Sequence, residues 1–226
     1  MTSPIQILLP LLVWGVIFFL VYKRIKRRRG RLYSPDKRRS SSTNNIHTDS
    51  IEQAGAEGEE RVKHQLRYLG QEYRIWNGVI LEFDGLSNEF DHIIIGPKGM
   101  LHIETKYYSG ELRFGPFGIE QTKYDSNGNI TEQKNIDDPT GQITMHEMLL
   151  ERVLQNHGLK DCPLKGILCI AHPKATISGN LANPNILVCK DSMLLHHIKE
   201  LPDVSSYHEQ YYQKLTDIIE KCIRKS

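Results

Sequence analysis

The 226 residues, 39% hydrophobic and 25% charged, have the mix of a globular protein and enough chain for one core without disulfides. The net charge of +2 conceals a segregation: ten Lys or Arg lie between residues 23 and 39, while residues 51–226 carry 19 basic against 25 acidic side chains, a net −6. This excludes a broadly basic nucleic-acid-binding face on the folded part, and leaves contact with phosphate to a local patch, a bound metal or the basic stretch.

Residues 2–22 contain no charged side chain. The run from Ile5 to Tyr22, as a helix, spans about 27 Å, close to the ~30 Å hydrocarbon core of a bilayer. Pro10 is tolerable in such a helix, and Tyr22 sits where an interfacial aromatic belongs. A cleaved signal peptide places basic residues before its apolar run and small residues after it. Here the order is reversed, since the run ends in Lys23, Arg24 and the basic residues beyond. The expectation is a retained single-pass membrane anchor over residues 1–22, its N-terminus outside and everything from Lys23 onward cytoplasmic. The basic flank can also bind anionic lipid headgroups. Residues 23–50 read as a basic, Ser-rich linker, and residues 51–226 as the folded domain.

Within that domain, Val62, Leu66 and Leu69 recur at helical spacing, which predicts a helix from about Ile51 to Leu69, stopped by Gly70. Extending the stripe back three residues puts Glu59, rather than Glu60, on the buried face. Strands are predicted at Tyr73–Trp76 and Gly78–Phe83, then at Phe90–Ile95 and Met100–Lys106, the last two joined by a tight turn at Gly96-Pro97-Lys98-Gly99. Centring that hairpin between Pro97 and Lys98 sets Ile95 against Met100, Ile93 against His102 and Asp91 against Glu104. With alternating side chains, Asp91, Glu104 and Lys106 share one face. His92 and His102 are expected on the opposite face in structural roles. Gly110–Phe114 can continue the sheet, and residues 115–138 read as a loop with short strands and a turn at Ser126-Asn127-Gly128-Asn129. A helix follows from Thr140 to about His157, strands at Gly166–Ala171 and Ile186–Cys189, and helices at Ser192–Leu201 and Tyr207–Ile223, the last opening on a Ser206-x-x-Glu209 capping box. The sum is a mixed α/β fold, a sheet flanked by helices. The four cysteines lack the paired spacing of a zinc ribbon and read as buried thiols.

Asp and Glu are uncommon inside strands, and two carboxylates facing each other repel. A divalent cation resolves that conflict: Mg²⁺ is a hard ion that takes carboxylate oxygens. Lys106, two residues past Glu104, can act on water or steady a phosphate, and Glu59 can supply a third carboxylate. The competing reading is a solvated strand face with an ordinary Glu–Lys pair. Lys123 and Lys134 read as surface charge, and Tyr107 and Tyr108 as either packing or base-stacking residues.

Asp91, a hairpin, and then Glu104-Thr105-Lys106 resemble the PD-(D/E)xK nuclease core. The residues around them resemble, more specifically, the nuclease-related domain (NERD) family. Those residues are Gly55-Ala56-Glu57-Gly58-Glu59, Glu89-Phe90-Asp91-His92, the Gly96–Gly99 turn, Gly110, and Asp138-Pro139 with Gln142. The resemblance spans about residues 52–155. It departs from the pattern at Phe90, where the superfamily's name has proline, and at Asp138, where the family has Asn. It implies a restriction-endonuclease-like fold and a Mg²⁺-dependent phosphodiesterase, with Mn²⁺ as a second candidate ion, acting on nucleic acid, DNA rather than RNA. Asp91 and Glu104 would hold metal, Lys106 would be catalytic, Glu59 would be the helical glutamate, and Gln142 would lie at the site edge. The alternative is a catalytically inactive scaffold at the membrane that binds nucleic acid or protein.

Overall fold

The computed structural model describes residues 43–116, 118–179, 181, 183–204 and 209–224, without the side chains of 43–51. The chain divides at Asn44 and Asn45, and the compact unit is Asn45–Ser226. The expected anchor at residues 1–22 and most of the linker lie outside the described residues. Among the described residues no helix is long and apolar enough to cross a membrane.

The first helix, α1 (Thr43–Leu66), begins eight residues before the expected start. Its buried stripe is Gly58, Val62 and Leu66. Stepping back four from Val62, rather than three, reaches Gly58, and a side chain there would press on Tyr107 and Thr105. Glu59 is therefore exposed, not buried.

β1 (Arg74–Phe83) is one strand where two were expected, and it turns into β2 (Leu86–Gly96) through Asp84-Gly85. Both turn residues have positive φ, 50° and 74°, the pair of conformations a two-residue hairpin with this twist requires. β2 pairs antiparallel with β3 (Gly99–Lys106) in the expected register, Ile95 with Met100 and Ile93 with His102. From β3 the chain leaves for a second sheet. β4 (Gly110–Gly115), β5 (Gly118–Tyr124) and β6 (Ile130–Ile136) form an antiparallel meander. β5 and β6 are the short strands expected within residues 115–138, but they fill most of that stretch; the outer strand is polar and almost wholly exposed, so it lacks the apolar alternation that marks a half-buried strand. Asp125 closes their turn, its Oδ1 accepting the N–H groups of Asn127 and Asn129 at 2.8 and 2.9 Å.

α2 (Thr140–Asn156) starts where expected. It leads to β7 (Leu164–Ile170), β8 (Ala175–Gly179) and β9 (Leu187–Lys190). A 3-10 turn at Asp191–Met193 precedes α3 (Leu194–Glu200), and α4 is Glu209–Cys222. Ser206 of the expected capping box lies outside the described residues. The central sheet has the order β1-β2-β3-β7-β9, antiparallel through β3 and parallel beyond it, and the second sheet is β6-β5-β4-β8. The fold is thus mixed α/β, with two mixed sheets flanked by helices.

Helices α2 and α4 cover one face of the central sheet. Leu149, Leu150 and Val153 of α2 and Leu215, Ile218 and Ile219 of α4 pack there on Phe90, Ile93, Ile95 and Met100. The other face buries Ile94, Leu101, Ile103 and Ile167 beneath Val62 and Leu66 of α1 and Leu194 and Ile198 of α3. Full burial of each such side chain contributes about 1.5–3 kcal/mol of favourable transfer free energy. Because helices lie on both faces, β3 is buried along nearly its whole length, polar residues included. All four cysteines are free and buried.

Candidate active site

Asp91 lies where the regular pairing of the central sheet stops. The β1–β2 ladder runs to Asn77↔His92 and resumes at Val79↔Phe90, skipping Gly78, at φ 58°, and Asp91. The β2–β3 ladder ends at His92↔Ile103, so Asp91 and Glu104 are not the ladder pair that the hairpin register predicts. The physical reason is a side chain in place of a main chain: Asp91 Oδ2 accepts the backbone N–H of Thr105 at 2.7 Å. Alternation breaks at the same point. Phe90 and Ile93, three residues apart, both contribute to the cluster under α2 and α4. Across β3 the opposite edge stays regular, paired with β7 as far as Lys106↔Ile170.

The opening between β2 and β3 forms a pocket of about 540 Å³. Ala54, Gly55 and Glu59 of α1 line it, together with Glu89, Asp91, Glu104, Thr105, Lys106, Tyr107, Tyr108 and Gln142 of α2. The sheet end, the middle of α1 and the start of α2 thereby bring together every residue the sequence singled out for chemistry. Gln142 is placed by the start of α2, where Asp138 Oδ1 accepts the N–H of Thr140 at 2.8 Å. An Asn side-chain carbonyl would serve that bond equally, so Asp138 in place of Asn leaves the helix entry intact.

Glu104 is 1% exposed. Its Oε1 takes the Lys106 ammonium at 2.5 Å, and Lys106 Nζ also donates to Gln142 Oε1 at 3.2 Å. Burial, then the nearby Asp91 charge, pushes the Glu104 carboxyl up to about 7 despite Lys106. Burial also raises Asp91, against the lowering pull of the Thr105 N–H and Lys106. Glu59, at the rim, is raised by partial burial and by the charges of Asp91 and Glu89. For Lys106, burial pulls downward, but the charge and hydrogen bond of Glu104 outweigh it and the net shift is upward. The lining therefore sets four carboxylates against one cation, and burial makes the negative charge of Glu104 and Asp91 expensive.

That donor set suits a hard divalent cation, which takes carboxylate oxygens and relieves the repulsion that raises them. The carboxylates do not yet close on a single point: among the described residues no group of three or more His, Cys, Asp or Glu is gathered closely enough to hold a metal ion. Glu104 is buried and Asp91 half-buried, and Glu59 stands at the solvent side of them.

Of the two strand histidines expected to face away from the pocket, one does and one does not. His92 does turn away from the pocket, bonded through Nδ1 to Asn77 Oδ1 at 2.8 Å. His102 does not: residues 102 and 104 have the same parity on β3, and the His102 ring lies under α2, on the Glu104 side. There it meets His146, which sequence reasoning missed. The signal was present, since His146 follows Gln142 by four residues and precedes Leu149, Leu150 and Val153 on the same helical stripe. Burial, then His102 and Lys106, hold the His146 imidazole down at about 4, so it is neutral at physiological pH. Tyr107 is tied to Glu57 through its hydroxyl and packs edge-on against His172, their ring centres 4.7 Å apart.

Comparisons with curated proteins and with solved structures return no match. The family model described as the nuclease-related domain, NERD, matches residues 54–171, just over half of the chain and every residue lining the pocket. This chain belongs to the nuclease-related domain family, in keeping with the PD-(D/E)xK nuclease superfamily that Asp91, Glu104 and Lys106 resemble.

Proposed function

We propose that this chain is a membrane-anchored, cytoplasm-facing nuclease that hydrolyses phosphodiester bonds, in DNA by preference, with Mg²⁺ or Mn²⁺ held by Asp91 and Glu104 and Glu59 completing the set from the rim. The observation that carries this reading is the convergence in one pocket of a buried and a half-buried carboxylate, both with raised proton affinity, and one lysine that joins Glu104 to a helical glutamine. A divalent ion there supplies positive charge to the scissile phosphate and acidifies water. Asp91 keeps its carboxylate at the sheet end through the Thr105 N–H. Lys106 stays protonated because Glu104 stabilises its charge, so its role is that of a cation facing a phosphoryl oxygen rather than a base. Gln142 holds the lysine from the other side. The uncharged residues 2–22 and the ten basic residues that follow support the anchor and its orientation.

The net −6 of residues 51–226 favours a second reading, an inactive scaffold that binds protein or nucleic acid at the membrane. One experiment separates the two. The full-length chain, purified in detergent, is incubated with supercoiled, linear and single-stranded DNA with Mg²⁺ or Mn²⁺, beside Lys106→Ala. Metal-dependent cleavage lost in the variant supports the nuclease. Metal binding by calorimetry without cleavage of any form favours the scaffold, and no metal binding sinks the metal site.

A further inference from the structure

Behind the pocket, the Glu104 side of β3 continues inward as a string of buried polar groups to which the cleavage chemistry gives no task. Glu104 Oε2 lies 3.8 Å from His146 Nδ1. The His146 and His102 ring centres are 5.7 Å apart, and His102 Nε2 lies 3.8 Å from Glu147 Oε1. Glu147 in turn accepts the backbone N–H of Gly166 at 3.1 Å, which fixes the far end of the string to β7. Glu104, His102 and His146 are 1%, 0% and 4% exposed.

A buried polar atom with no partner costs about 1–3 kcal/mol, and folded proteins keep few of them. Among the described residues seven buried side-chain atoms lack one, and four of the seven are Glu104 Oε2, His146 Nδ1 and both ring nitrogens of His102. Packing does not require these groups. Phe90 sits against both rings, with centres 4.4 Å from His146 and 6.2 Å from His102, so apolar side chains would fill the same space without stranding polar atoms. The unsatisfied Glu104 Oε2 and His146 Nδ1 face each other at 3.8 Å, which points to a bond made between them when that carboxylate is engaged. Hydrogen bonds in empty active sites are commonly long and tighten on loading.

We propose that His146 is a positioning residue for Glu104: its Nδ1–H donates to Glu104 Oε2 and fixes the carboxylate plane, so that Oε1 is presented to the cation in the pocket. His102 packs edge-on behind the His146 ring and holds it in that orientation. The inference rests on the reading of Glu104 as a metal-holding carboxylate. Outer partners that orient metal-holding side chains typically contribute 10–100-fold in affinity.

The test is Mn²⁺ binding by calorimetry and metal-free thermal melting of the full-length chain, for wild type, His146→Phe, His146→Leu and His146→Asn. Asn and Leu are nearly the same size, but only Asn carries an N–H near the place of Nδ1–H. Expected are an unchanged or higher melting temperature for His146→Phe, with Mn²⁺ affinity weakened about 10–100-fold. His146→Asn should recover most of that affinity, and His146→Leu should not. Wild-type affinity in His146→Phe overturns the inference. So does equal loss in the Leu and Asn variants, the comparison that decides if the Phe variant does not fold. Wild-type protein that binds no Mn²⁺ removes the metal reading of Glu104 and this inference with it, a result distinct from an unchanged variant.

Discussion

The two faces of β3 are equally buried and chemically opposite. Toward α1 and α3 the strand presents Leu101 and Ile103, at 1% exposure each, inside an apolar cluster. Toward α2 it presents His102 and Glu104, no less buried, with four polar atoms unpartnered between them and His146. One face stabilises the domain; the other works against it. Burial raises a carboxyl only where charge has been placed without enough compensation, and such a placement survives where function needs it. The comparison makes the apolar face the scaffold and the polar face the working side.

The largest effect that tests this division is on the working side. Lys106→Ala should lower metal-dependent DNA cleavage on the order of 10³-fold in protein that still folds, with a lowered melting temperature because the buried Glu104 Oε1 loses its partner. Loss of fold instead of activity would break the distinction. Next, Ile103→Ala on the scaffold face should destabilise by about 2–5 kcal/mol in urea unfolding, by opening a cavity under α1. Folded variant protein at low denaturant should keep its metal affinity.

Glu104→Gln should move stability the other way, and only at high pH. The folded-state carboxyl stands at about 7 against an ordinary 4.5. A raised acid favours the fold fully below the unfolded value, and the benefit is lost as pH rises through the folded value. In metal-free buffer, the variant should therefore match wild type near pH 4.5 and exceed it at pH 8, by about 1–3 kcal/mol. Equal stability at both pH values would mean that the carboxylate is not strained. The smallest effect is at Gln142. Gln142→Ala removes the amide oxygen that accepts one long, exposed hydrogen bond from the Lys106 ammonium, and should slow cleavage only several-fold.

Much of this division was legible in the residues, and its gaps have specific causes. The hairpin register followed from two apolar runs around a Gly-Pro-Lys-Gly turn, and parity alone put Glu104 and Lys106 on one side. The same parity argument put His102 with them, against the expectation that it faced away. Glu59 was assigned to the buried stripe because steps of three and four residues both fit a helix, and the Gly58 contact with Tyr107 decides between them. His146 lies too far along the chain from Glu104 for strand or hairpin reasoning to join them, and only the packing of α2 on β3 does so. The Asp91–Glu104 pairing failed for a reason no periodicity contains, because a side-chain oxygen took the place of a backbone carbonyl.

That last substitution has a practical consequence. The Thr105 amide proton points at Asp91 Oδ2, so its frequency in a ¹H–¹⁵N spectrum is a gauge of the charge on that carboxylate. With Asp91 ionised, the resonance should sit far downfield. Titrating in Mg²⁺, or protonating the acid, should draw it upfield without any catalytic turnover. One backbone signal can thus follow the loading of the pocket in protein that has no substrate present.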